Sequence, residues 1–144
     1  VLLLVRRLSK IEINIDAVDA NRLGADGEEI YRRYSNARVV YIAGAMIFAN
    51  TQAVENIPAE IPEGCETVFF SMRGVSYLDV SCAQAFENVI HTLQRRGIRV
   101  GVCGLSSETR RTMERSGILT LIGEENVYWR IDRALTQDCA QTAE

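Results

Sequence analysis

The sequence predicts an α/β domain with a mixed, largely parallel β-sheet and helices packed against it. Three observations carry that reading. Short β-branched or aromatic runs, such as Arg38-Val39-Val40-Tyr41-Ile42-Ala43, alternate with amphipathic segments along the chain. The apolar run Thr67 to Met72 is nearly continuous, as in a strand covered on both faces. Ala83, Phe86, Val89, Ile90 and Leu93 recur at helical spacing immediately afterwards. Strands separated by helices connect by crossovers, which makes neighbouring strands parallel.

Ile11-Glu12-Ile13-Asn14-Ile15-Asp16 alternates strictly and predicts a strand with one buried face. Residues Ala17 to Asn36 are polar, carry Gly24 and Gly27, and read as a loop with a short helix at Glu28 to Tyr34. The second strand follows, interrupted by Gly44. Asn50-Thr51 is expected to cap a short helix, bounded by Pro58 and Pro62. The Thr67–Met72 strand is expected to end in a turn containing Gly74. Asp79 then opens the clearest helix, which Gly97 stops. Ile98, Val100 and Val102 form the next strand, and Ser106-Ser107 cap a third helix ending near Gly117. Leu119 to Ile122 and Val127 to Trp129 are short apolar pieces, and a last helix is expected from about Ile131 to Cys139.

At 144 residues the chain suits one domain. With 16 basic against 19 acidic residues the net charge is −3, which disfavours non-specific nucleic-acid binding. Cys65, Cys82, Cys103 and Cys139 form no Cys-x-x-Cys pair, and His91 is the one histidine. Neither a metal site nor a disulfide is expected, and a reducing compartment is. His91 has no acid or base partner close in sequence, so catalysis is not assigned to it. No cofactor is expected.

The chain begins with Val1 and reads as a piece of something longer. Val1-Leu2-Leu3-Leu4-Val5 is apolar, followed by Arg6, Arg7 and Lys10. Five residues cannot cross a bilayer, which takes roughly 20. The run is either a buried edge strand or the inner end of a membrane helix with a basic cytoplasmic flank.

The loop from Val68 to Ala83 is the candidate functional feature. A helix start presents unpaired N–H groups and partial positive charge to an anion or a carboxylate. The loop has no His and no second carboxylate close by, so it suits docking better than catalysis. Asp79 alone is explained as a helix cap.

From Val39 to Leu135 the chain resembles a STAS domain, the module of anti-sigma-factor antagonists and of SulP anion transporters. The strand–loop–helix at Val68 to Leu93 is similar to the family's central feature, an Asp-Ser-Ser/Thr-Gly loop before a helix. Gln94 to Val100 and Glu114 to Val127 are similar to the segments that follow it. Gly44-Ala45-Met46-Ile47-Phe48-Ala49-Asn50 resembles the SulP subgroup's Gly-x-Leu-Phe-Phe-Ala-Asn. There are departures. Where phosphorylatable antagonists carry a serine after the loop Asp, this chain has Val80, and Cys82 replaces the usual Gly.

The resemblance implies a non-catalytic regulatory domain of a SulP-type transporter of sulfate, bicarbonate or a dicarboxylate, at the cytoplasmic face of a bacterial inner membrane. Residues 1–10 would be the end of the last membrane helix and its basic flank. Residues 11–37 would connect it to the domain at 38–140, with a tail at 141–144. The implied partner is the transmembrane domain of the same polypeptide, with acyl carrier protein, a nucleotide and a second transporter copy as further expectations. The contact loop would be Asp79, Val80, Ser81 and Cys82, with Ser81 the candidate phosphoacceptor. Ser106, Ser107 and Arg110 are candidate anion or nucleotide contacts. The rival reading is a free-standing anti-sigma-factor antagonist acting by protein–protein contact.

Overall fold

Five strands form one sheet in the order β1-β2-β3-β4-β5. The computed structural model describes residues 10–18 and 34–129. The strands are β1 (Glu12–Ala17), β2 (Ala37–Met46), β3 (Thr67–Leu78), β4 (Arg99–Cys103) and β5 (Val127–Tyr128). β1 pairs antiparallel with β2, and the other three pairings are parallel. The helices are α1 (Thr51–Glu55), α2 (Ile57–Glu60), α3 (Val80–Arg95), α4 (Ser107–Arg115) and α5 (Ile118–Ile122).

Each parallel strand is added on the same side of the one before it. Crossovers of one hand then bring every connecting helix to one face. The side-chain alternation agrees. Val40, Ile42, Val68, Phe70, Met72, Val100 and Val102 point into one core with Val54, Ile57, Phe86, Ile90, Leu93, Met113 and Ile118 from the helices. Phe70 and Phe86 meet edge to face at 4.9 Å. On the opposite face Val39, Phe69, Cys103 and Tyr128 form a second cluster with Val18 and Tyr34. Val68, Phe69 and Phe70 are all fully buried, as the unbroken apolar run requires.

Two glycines read as breaks lie inside strands. β3 runs through Gly74 to Leu78, and β2 runs through Gly44 to Met46. The pairing between them shifts register at Tyr41/Ala43 and again at Gly44/Ala45. These are bulges, where an extra residue bends a strand without ending it. A Cβ on Gly74 would lie 2.9 Å from the Ala43 Cβ, so the glycine allows close strand approach and makes no turn. Gly44 has φ +105°, beside the incoming Lys10 backbone.

Asn50 also differs from expectation. It makes no side-chain cap to α1. Its amide donates instead to the Ala45 carbonyl at 2.7 Å, closing the loop back on β2. The apolar piece at 119–122 belongs to α5, and Val127–Tyr128 is the edge strand. The helix expected at Glu28–Tyr34, apart from Tyr34, lies outside the described residues. So do the Val1–Val5 run, the last helix at Ile131–Cys139 and the 141–144 tail.

Candidate functional site

The C-terminal ends of β2 and β3 lie side by side, with Met46 opposite Leu78. The loops leaving them therefore meet. Asp79 is the residue that joins them. Its Oδ1 accepts from the Cys82 N–H at 2.7 Å, which caps α3. Its Oδ2 accepts from the Phe48 N–H at 2.9 Å, across 31 residues of sequence. Its own N–H donates to the Met46 carbonyl at 3.0 Å. The carboxylate thus fixes both loops to one helix start.

Around this anchor the surface is apolar. Val80 is 80% exposed, Phe48 73% and Tyr77 49%. Ser81 is exposed in the first turn of α3. Cys82 points the other way, with no exposed surface. Burial, then the Asp79 and Glu55 carboxylates, push its thiol up to about 12. It stays protonated at neutral pH and offers no thiolate nucleophile.

Ser106 caps α4, its Oγ accepting from the Thr109 N–H at 3.1 Å and donating to the Thr109 Oγ1 at 2.9 Å. Ser107 is exposed at the first position of the helix. Arg110 is engaged on two sides, with Glu114 at 3.3 Å and Glu124 at 2.9 Å. A depression of about 380 Å³ beside it is lined by Glu114, Leu119, Thr120, Gly123 and Glu124.

The structure does not bring the two candidate groups together. Gly104, at the start of the loop to α4, packs against Arg73 of β3. Leu78 lies five positions beyond Arg73 on β3, roughly 16 Å of extended chain. His91 faces Glu87 at 3.7 Å on the exposed side of α3. The Cys65 thiol donates to the Thr67 carbonyl at 3.3 Å and the Cys103 thiol to the Phe70 carbonyl at 3.6 Å. Among the described residues no group of three metal-ligating side chains converges, and no helix is long and apolar enough to cross a membrane.

Phe48 and Tyr77 were missed as site residues from the sequence. The available signal was topological, since parallel β2 and β3 must deliver segment 47–50 beside segment 77–80.

The STAS domain family matches residues 30–134. The bicarbonate transporter BicA of Synechocystis is 28% identical over 122 residues, 83% of this chain. The chain spans only 22% of that relative's length. The structure titled as a SulP transporter STAS domain from Vibrio cholerae has a TM-score of 0.58 at 27% identity, covering 74% of this chain and 83% of that one. An anti-sigma factor antagonist from Mycobacterium paratuberculosis has a TM-score of 0.62 at 17% identity, covering 90% and 94%. The second likeness concerns fold alone. Both functional groups share the architecture, so the shape of the sheet does not choose between them.

Proposed function

This chain belongs to the STAS domain family, and on that premise we propose that it is the regulatory domain of a SulP-type anion transporter. The observation that carries the choice within the family is the surface at Asp79. The position after the loop acid is Val80, exposed and without a hydroxyl. An antagonist switched by phosphate on that residue has no acceptor here. The exposed Phe48 and Val80 instead offer a permanent apolar contact. Sequence similarity to a bicarbonate transporter supports the same side.

In this reading the domain performs no chemistry. Of the contact loop Asp79, Val80, Ser81 and Cys82, the exposed Val80 and Ser81 meet the membrane-spanning part of the same polypeptide at the cytoplasmic face of a bacterial inner membrane, while the buried Cys82 only anchors the helix start. The contact conveys the state of the domain to transport. The cargo is a small anion of the sulfate, bicarbonate or dicarboxylate class. A phosphate on Ser81 would sit in the first turn of α3, where the helix dipole favours negative charge, and would place that charge amid the apolar contact. An anion at Ser106, Ser107 and Arg110 would compete with Glu114 and Glu124 for the guanidinium.

Uptake of labelled sulfate, bicarbonate and succinate by cells expressing the full-length parent protein tests the reading. Uptake of one of them, altered when residues 38–140 are deleted, is the expected result. A parent gene without membrane-spanning segments would overturn it.

A further inference from the structure

We infer that Asn50 and Thr51 are positioning residues, which fix where the Phe48 ring leaves the backbone and so ready it for the apolar contact. The inference rests on the transporter reading and adds to it the residues that hold one contact side chain in place. Ile47 to Asn50 link the end of β2 at Met46 to the start of α1 at Thr51. Phe48, Ala49 and Asn50 form one short helical turn in which no residue is buried. Burial therefore does little to set the shape of this turn, and hydrogen bonds must set it.

Three side chains supply those bonds. The Asp79 Oδ2 accepts from the Phe48 N–H at 2.9 Å. The Thr51 hydroxyl donates to the Phe48 carbonyl at 3.0 Å, beside the bond from the Thr51 N–H to the same oxygen. The Asn50 amide reaches back five residues to the Ala45 carbonyl at 2.7 Å, and the Asn50 N–H donates to the Ile47 carbonyl at 2.8 Å. Both backbone groups of Phe48 thus end on side chains, and the turn around it is closed onto β2. Asn50 stands where a helix cap would, yet its side chain makes no cap bond to α1. Its amide serves the turn.

Val80 needs no such help, because it is the first residue of α3 and the helix fixes it. Phe48 lies on a different connection, and its place against the α3 start depends on the turn. Its ring is 73% exposed, so the core does not hold it. A contact side chain that already stands in its bound position loses less freedom on binding, and the contact is tighter for it. Asn50 and Thr51 are half-buried, and they act through Phe48.

Hydrogen exchange on this chain and anion uptake by proteoliposomes holding the full-length parent protein test the inference together. Labelled sulfate, bicarbonate and succinate are the probes. Asn50→Ala should speed exchange of the Phe48 amide several-fold and leave the buried Phe70 of β3 as it was. Thr51→Val should have a weaker effect of the same kind, and Thr51→Ser, which keeps the hydroxyl, should exchange as the parent chain does. Uptake should change several-fold in Asn50→Ala and in Phe48→Ala. The double variant should match Phe48→Ala alone, because Asn50 acts through that ring. An unchanged Phe48 amide, equal acceleration at Phe70, unchanged uptake in either single variant or additive effects in the double variant would overturn the inference. The two readings fail differently. An intact parent that takes up none of the three anions defeats the transporter reading and this inference with it. Uptake by the intact parent that Asn50→Ala leaves unaltered defeats only the inference.

Discussion

Two helix starts follow adjacent parallel strands in this domain, and they are built for different ends. At α3 the cap is a carboxylate with two acceptor oxygens, one used by its own helix and the other by a loop 31 residues earlier. At α4 the cap is a hydroxyl whose bonds reach no further than Thr109. The surroundings differ as well. The α3 start is ringed by exposed apolar side chains, whereas the α4 start leads to an Arg110–Glu114–Glu124 ion network. A capping residue is thus no guide to function by itself. What matters is whether its spare bonding capacity ties distant segments into one surface.

The helices behind the two caps separate furthest. α3 buries Cys82, Ala83, Ala85, Phe86, Val89, Ile90 and Leu93, while α4 buries Thr109 and Met113. Phe86→Ala should lower stability by about 3–5 kcal/mol, because its ring is fully buried against Phe70. Urea unfolding of this chain measures it, and a loss below about 1 kcal/mol would break the claim that α3 carries the core.

Asp79→Ala should cost about 1–2 kcal/mol and Ser106→Ala about 0.5–1 kcal/mol. Hydrogen exchange sharpens the contrast. Asp79→Ala should release the Phe48 amide as well as that of Cys82, and Ser106→Ala should affect only the first turn of α4. Equal and purely local effects would show that the two caps are equivalent.

Much of this was legible in the sequence. The period-2 run at Ile11–Asp16, the unbroken run at Thr67–Met72 and the helical spacing from Ala83 to Leu93 each record burial of a definite face. The bulges were not legible. Gly44 and Gly74 look like breaks because the close approach that requires them comes from Lys10, just before β1, and from Ala43 on β2. Asp79 was legible as a cap, since that bond is three residues long. Its second bond was hidden, because it depends on the parallel pairing of β2 and β3. Arg110 looked free to meet an anion until the fold brought Glu124 beside it.

Cys82 gives a pH signature at the α3 start. Its folded pKa lies near 12, above the ordinary thiol value. A raised pKa means that the folded state holds the proton more tightly. The contribution to stability is complete below the unfolded thiol pKa and is lost as pH rises from about 9 toward 12. Cys82→Ala should flatten that part of the alkaline decline relative to the parent chain. An unchanged slope would contradict the buried, carboxylate-facing thiol.

Arg110→Ala should be the smallest effect, within about 0.5–1 kcal/mol, because its ion pairs are largely exposed. A larger loss, measured by the same urea titration, would make the α4 start a structural keystone and narrow its contrast with α3.

Anion uptake by proteoliposomes holding the full-length parent protein puts the contrast to its most direct test. Intact, Asp79→Ala and Ser106→Ala forms are compared at equal protein density. The Asp79 change, which frees the two loops that its carboxylate holds, should alter the uptake rate several-fold, and the Ser106 change should leave it at the intact rate. Equal rates for all three would contradict a role for the Asp79 surface in transport.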